Sequence, residues 1–311
     1  MAKRSPIQLG LLTLKGIAMG AADVVPGVSG GTIAFISGIY EELIDSINKI
    51  NFGALKILKK EGFKSFWQHI NGTFFVFLFG GIILSIASLA KGVTFLLEQH
   101  PVLIWSFFFG LIIASIWLVG KTIKKWSPLV IFSLLVGAVI AFWISAIQTV
   151  AHVDSSWYIL LSGSLAICAM ILPGISGSFI LVLLGSYHVV LESIKERELA
   201  TIGLFIVGCV IGLLSFARVL KYLFSKYKAV TVALLAGFMI GSLYKVWPWK
   251  IKTGDAPLVI HSNGKEDWMM SNVLPHNFDG DNLLMYSIGT ATLGFLLIFV
   301  LEKFAPKEKT V

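Results

Sequence analysis

Pro26-Gly27-Val28-Ser29-Gly30 opens an apolar segment that runs to Ile47, and Pro173-Gly174-Ile175-Ser176-Gly177 opens another that runs to Ile194. Aligned without gaps, the two 22-residue blocks agree at nine positions, among them Gly38 with Gly185, Tyr40 with Tyr187 and Ser46-Ile47 with Ser193-Ile194. Self-similarity at a fixed spacing marks an internal duplication. Helix-breaking motifs in matching positions of two hydrophobic halves point to the binding site of a transporter.

Of the 311 residues, 56% are hydrophobic and only 14% are charged, against about 25% charged in soluble domains. This composition predicts an integral membrane protein. The net charge of +8 is no argument for nucleic acid, because the lysines sit in short loops between apolar runs. No cleaved signal peptide is expected, since Lys15 and Asp23 interrupt the first apolar run. Cys168 and Cys209 lie inside apolar segments and read as small buried hydrophobes. Neither a disulfide framework nor a metal site follows from them.

Six runs are long enough to span a hydrocarbon core: 73–90, 101–120, 128–150, 201–217, 229–247 and 283–301. Two further apolar regions, 9–47 and 157–194, are broken by the motif. Each reads as a hairpin that either re-enters or crosses twice with an unwound centre. Lys and Arg cluster at the N-terminus, in 48–72, after Gly120, after Ala217 and in the tail. The intervening loops, including 248–282, are poorer or balanced. The positive-inside rule then puts both termini in the cytoplasm and loop 248–282 outside. Each half, 1–150 and 151–311, holds a hairpin and three spans, an odd number of crossings. The expected fold class is an all-α integral membrane protein of two inverted-topology repeats. Gly110, Ile113 and Ser115 match Gly237, Ile240 and Ser242 across the halves. Trp105, Trp126, Trp157, Trp247 and Trp249 lie near span ends, as an interfacial belt would.

The motif supplies a break from Pro, a tight turn from Gly and a helix start from Ser. A new helix start exposes main-chain N–H groups and the positive end of the helix dipole, where anions such as phosphate bind. The candidate cradle is Gly27, Ser29, Gly30, Gly31 and Thr32 with Gly174, Ser176, Gly177 and Ser178. It needs no arginine, and the chain has only Arg4, Arg197 and Arg218. The competing reading is that these small residues let helices pack closely. Asp23 has no counterpart, since Met170 stands at the matching place. A carboxylate at membrane depth is a functional candidate by default. It is read as a proton carrier that couples transport, or as a helix cap, or as a partner of Lys15. Glu41, His188, Glu192 and Arg218 are secondary candidates. The carboxylates near the hairpin ends could equally reach water, and Arg218 could be an interfacial anchor.

Gly27-Val28-Ser29-Gly30-Gly31 also fits Gly-x-Ser-x-Gly, a serine hydrolase pattern. Five of the six histidines lie in loops or at span ends, and Ser178 replaces the third Gly in the second copy. The pattern is weak outside a strand–turn–helix context. A lipid-pyrophosphate phosphatase is a closer rival, but arginine would be expected in its motif. A small-anion transporter is the remaining alternative.

The stretch from Gly20 to Thr32, with its Asp23 and its Pro-Gly-Val-Ser-Gly-Gly-Thr run, together with Pro173–Gly177, resembles the bacterial and archaeal membrane family of undecaprenyl-phosphate translocases. The likeness covers nearly the whole chain. It implies a flippase, not an enzyme, that returns the polyprenyl-phosphate carrier from the outer to the inner leaflet of the cytoplasmic membrane. That carrier serves the synthesis of peptidoglycan and other envelope polymers. The two turns and Asp23 are the residues carried over. A long isoprenoid tail also needs a path through lipid, and Gly80, Gly81, Gly208 and Gly212 are expected to leave a lateral groove. No cofactor is expected beyond a coupling proton or other cation. Oligomeric state is not legible.

Overall fold

In the computed structural model, which describes residues 4–23, 29–146, 155–254, 259–260 and 266–303, helices dominate. The first half opens with α1 (Pro6–Asp23), α2 (Gly30–Ile36) and α3 (Tyr40–Asn48), the broken hairpin. It continues with α4 (Phe52–His69), α5 (Gly72–Gln99), α6 (Pro101–Thr122) and α7 (Pro128–Ala146). The second half repeats the hairpin as α8 (Ser156–Ile171), α9 (Gly177–Leu183) and α10 (Ser186–Glu196). It then runs through α11 (Leu199–Lys226), α12 (Lys228–Ser242) and α13 (Leu284–Lys303). Each of the six expected spans falls on a helix, with 147–150 of the third lying outside the described residues. Among the described residues α5, α6, α7 and α11 are long and apolar enough to cross a membrane, while α8, α12 and α13 are apolar but shorter.

Local sequence sets these boundaries. Pro101 starts α6 at a position where its missing N–H is not needed. Gly38 (φ +72°) and Gly185 (φ +67°) take the left-handed conformation that ends α2 and α9 at matching positions. The run 229–247 was expected as one span, but α12 stops at Ser242. Leu243, Tyr244 and Lys245 donate to carbonyls three residues back, a tighter winding just ahead of Pro248.

Two loops turn out to be structured. The Lys-rich segment 48–72 holds α4, capped by Asn51 Oδ1, which accepts from the Gly53 and Ala54 amides. Within 248–282, β1 (Lys250–Thr253) pairs antiparallel with β4 (Met269–Asn272), and β2 (Val259–Ile260) with β3 (Glu266–Asp267). The tryptophan expectation needs correction here. Trp126 and Trp157 are exposed, but Trp249 is buried. Trp247 and Trp249 donate their indole N–H groups to the carbonyls of Val273 and Asn282. They staple the loop down.

Packing follows glycine. α1 lies on α5 and α8 on α11, while α7 lies on α12 and α6 on α13. A Cβ at Gly16 would collide with the Leu78 carbonyl, and one at Gly163 with the Phe205 carbonyl. Gly81 meets the Thr13 carbonyl as Gly208 meets that of Leu160. Gly110 meets the Ala291 carbonyl and Gly237 that of Leu134; Gly137 meets Leu234 and Gly294 meets Phe107 in the same way. Such backbone-to-backbone approach is how apolar helices associate where lipid removes the hydrophobic drive. It also overturns the lateral groove. Gly81, Gly208 and Gly212 are filled by neighbouring helix backbone, and only Gly80 faces open space.

α12 buries most of its length, and α6 half-buries beside it. The outer helices carry large apolar side chains on their surfaces, such as Ile83 on α5, Val139 on α7, Ile211 on α11 and Leu293 on α13. An apolar exterior on long helices is what a hydrocarbon surround selects. The chain is a membrane protein.

Candidate functional site

The two motif turns touch. Ser29 Oγ donates to the main-chain carbonyls of Met170 (3.1 Å) and Leu172 (3.2 Å). In return the Gly174 amide donates to Thr32 Oγ1 at 2.9 Å. Ser29, Thr32 and Gly174 are all buried. Glycine is required on both sides of this contact. A Cβ at Gly31 would strike the Ile171 carbonyl, and Gly174 combines φ +85° with the Phe238 carbonyl close above it.

The first motif is internally capped. Asp23 Oδ1 accepts from the Gly30 amide at 2.7 Å, and Ser29 Oγ accepts from the Gly31 amide at 3.1 Å. The Thr32 amide donates to the Ser29 carbonyl. A protein carboxylate therefore sits where an anion would sit at the start of α2. Of the three readings of Asp23, the structure displays the cap. Lys15 is not its partner; Lys15 Nζ donates to the Ser37 carbonyl at 2.6 Å, at the negative end of α2. Gly27 lies outside the described residues.

The second motif is arranged differently. Ser176 Oγ and Ser178 Oγ are 2.9 Å apart, and the Phe179 amide reaches Ser176 Oγ only at 3.5 Å. Among the described residues no carboxylate plays the part of Asp23. Instead a small recess opens beside the turn, lined by Ser145, Gly174, Ser176, Phe179 and Lys245. Lys245 Nζ lies 3.9 Å from the centroid of the Phe179 ring. Lys250 Nζ donates to the Lys245 carbonyl and lies over Trp105. Burial, reinforced by the Lys245 ammonium, lowers the Lys250 pKa to about 7. Sequence reasoning missed Lys245 because it lay inside the run 229–247 and was read as part of a span. The available signal was the expense of an ammonium at the edge of an apolar segment.

The secondary candidates lie away from the motif contact. Glu41 pairs with Lys228 at 2.8 Å, Asp45 with Lys221 at 3.0 Å, and Glu42 with Arg4. Glu42 also accepts from Asn71 at 2.9 Å. These groups tie α3 to the N-terminal segment, α5, α11 and α12. Arg218 and Glu192 are exposed. His188 belongs to α10 by its backbone, and its side chain lies outside the described residues.

Comparison with known proteins identifies the family. Residues 19–259 match the VCA0040-like family described as undecaprenyl phosphate translocase-like. A protein of Vibrio cholerae serotype O1 named polyprenyl-phosphate transporter is 45% identical over 300 residues, covering 94% of this chain and 96% of its own. A protein of Staphylococcus aureus with the same name is 36% identical over 254 residues, covering 76% of this chain and 85% of its own. No solved structure matches. With the family match spanning both motif turns, the chain belongs to the undecaprenyl phosphate translocase-like family.

Proposed function

We propose that this protein is a transporter that returns undecaprenyl phosphate from the outer to the inner leaflet of the cytoplasmic membrane for envelope polymer synthesis. The observation that carries the reading is the buried contact between the two motif turns through Ser29, Thr32 and Gly174. Two helix breaks meeting at one place are what a midplane headgroup site requires. The names of the relatives supply the lipid class.

The architecture that goes with it is two inverted repeats, 1–150 and 151–311, with both termini in the cytoplasm and 248–282 outside. Recurrence of the glycine–carbonyl contacts at matching positions supports this arrangement. So does the pairing of α1 with α5 and of α8 with α11.

A phosphate monoester carries roughly −1.5 to −2 charges near neutral pH. Inward movement opposes the membrane potential by about 2.3 kcal/mol per charge per 100 mV. Co-transport of protons or another cation would offset this, with Asp23 as the carrier. In that scheme protonation of Asp23 frees the Gly30 amide for the arriving phosphate. The test is uptake of undecaprenyl phosphate into the inner leaflet of proteoliposomes, read by protection from an added impermeant phosphatase. Transport is expected with wild type and is expected to lose its pH dependence with Asp23→Asn. An unchanged pH profile in that variant removes Asp23 from coupling. Phosphate release from undecaprenyl pyrophosphate by the purified protein would favour the phosphatase reading instead.

A further inference from the structure

The two motifs differ in charge. The first is closed by its own carboxylate, Asp23. The second faces an ammonium, Lys245, which has no counterpart in the first half, where Leu118 stands at the matching place. Lys245 is partly buried, and among the described residues no carboxylate pairs with it. Its neighbours are the Phe179 ring, Lys250 and the hydroxyl-bearing wall of Ser176 and Ser145. A lysine at a span end normally extends its head into water. Here the head is turned over Phe179 and toward the recess, beside a second cation. An ammonium withdrawn from water without an anion is unfavourable, the more so beside a second lysine, and a cation–π contact worth about 0.5–2 kcal/mol compensates only partly.

We propose that Lys245, with the Ser176 hydroxyl, forms the site that first takes the phosphate monoester of the lipid, and that it distinguishes phosphorylated from unphosphorylated prenyl chains. The proposal rests on the transport reading above. The recess is bordered by the C-terminal end of α7 and the segment after α12, the side on which the β1–β4 ribbon lies. Loop charge puts that side outside the cell, so the site faces the leaflet from which the carrier must be collected. An ammonium and a hydroxyl suit the several acceptor oxygens of a phosphate monoester. Phe179 is placed to pack against the first carbons of the tail.

The experiment uses the full chain in lipid nanodiscs, titrated with undecaprenyl phosphate, undecaprenol and inorganic phosphate. Lys245→Met is expected to weaken undecaprenyl phosphate binding roughly 10- to 100-fold, as loss of a charge-assisted contact does. Lys245→Arg should restore most of the affinity, and undecaprenol binding should not change in either variant. Unaltered undecaprenyl phosphate binding by Lys245→Met overturns the proposal. Inorganic phosphate binding as tightly as the lipid overturns the lipid as its source. Wild type failing to bind undecaprenyl phosphate at all overturns the transport reading itself. A second measurement needs no variant: acylation of Lys245 by an impermeant amine reagent, mapped by mass spectrometry. Undecaprenyl phosphate should protect Lys245 and undecaprenol should not; equal labelling in both overturns the proposal even where Lys245→Met does not fold.

Discussion

Thr32→Val examines the contact on which the site depends. Thr32 Oγ1 is the acceptor for the buried Gly174 amide at 2.9 Å. Valine keeps the shape of threonine, so no cavity opens, but the amide loses its partner. An unsatisfied buried donor costs about 1–3 kcal/mol, a roughly 5- to 150-fold shift in the unfolding equilibrium. Thr32→Ser retains the oxygen and gives up one methyl, a loss of about 0.8 kcal/mol. The expected order of stability is wild type, then Thr32→Ser, then Thr32→Val. Ser29→Ala removes the reciprocal bonds to Met170 and Leu172 and the cap on Gly31, at about 0.5–2 kcal/mol for the cap alone. Because both residues bridge the same two turns, the double variant should depart from additivity by about 0.5 kcal/mol or more. Unfolding of the detergent-solubilised protein by sodium dodecyl sulfate, followed by tryptophan fluorescence, gives these numbers. Thr32→Val and Ser29→Ala both within about 0.5 kcal/mol of wild type, and strictly additive, would refute the idea that the turns are in contact.

The glycine contacts predict a matched pair. Gly110→Ala and Gly237→Ala each drive a Cβ into a facing carbonyl and should each destabilise by about 1–3 kcal/mol. Gly80→Ala meets open space and should be neutral or stabilising by about 0.5–1 kcal/mol; melting in detergent separates them. Lys250 gives a pH signature. Its folded pKa of about 7 lies below its unfolded value of 10.5, so the unfolded chain binds the extra proton between them. Stability therefore rises with pH from about 7 toward 10.5, and Lys250→Met should flatten that part of the profile; an identical slope in the variant removes Lys250 as its cause.

Much of the membrane core was legible because hydrocarbon demands length and apolarity, which a sequence displays openly. The breaks were legible because Pro and Gly act on the residues beside them. α4 was not, since its lysines and scattered apolar residues read as a charged loop; it buries only Ala54, so its pattern carries little of the signature of a packed helix. The β1–β4 ribbon was hidden for a similar reason, its strands being four residues each. At the site, both motif turns were visible but the capping of the first was not. Whether Asp23 reaches Gly30, Lys15 or solvent depends on how the chain folds back between α1 and α2, which spacing leaves undetermined. Lys245 was hidden by its apolar neighbours and acquires meaning only when Phe179 and Ser176 come beside it.

Among the described residues the ion pairs gather on one short helix, α3, through Glu41, Glu42 and Asp45. α10 is held by Ser186 on Ser162, by the Leu184 carbonyl just before it on Tyr158, and by Ser193, which donates to the Glu198 carboxylate. Exposed pairs contribute about 0–1 kcal/mol each and are screened over about 8 Å at physiological ionic strength. Raising salt therefore loosens the hold of α3 on the N-terminal segment, α11 and α12, so electrolyte acts on the first hairpin through this one helix.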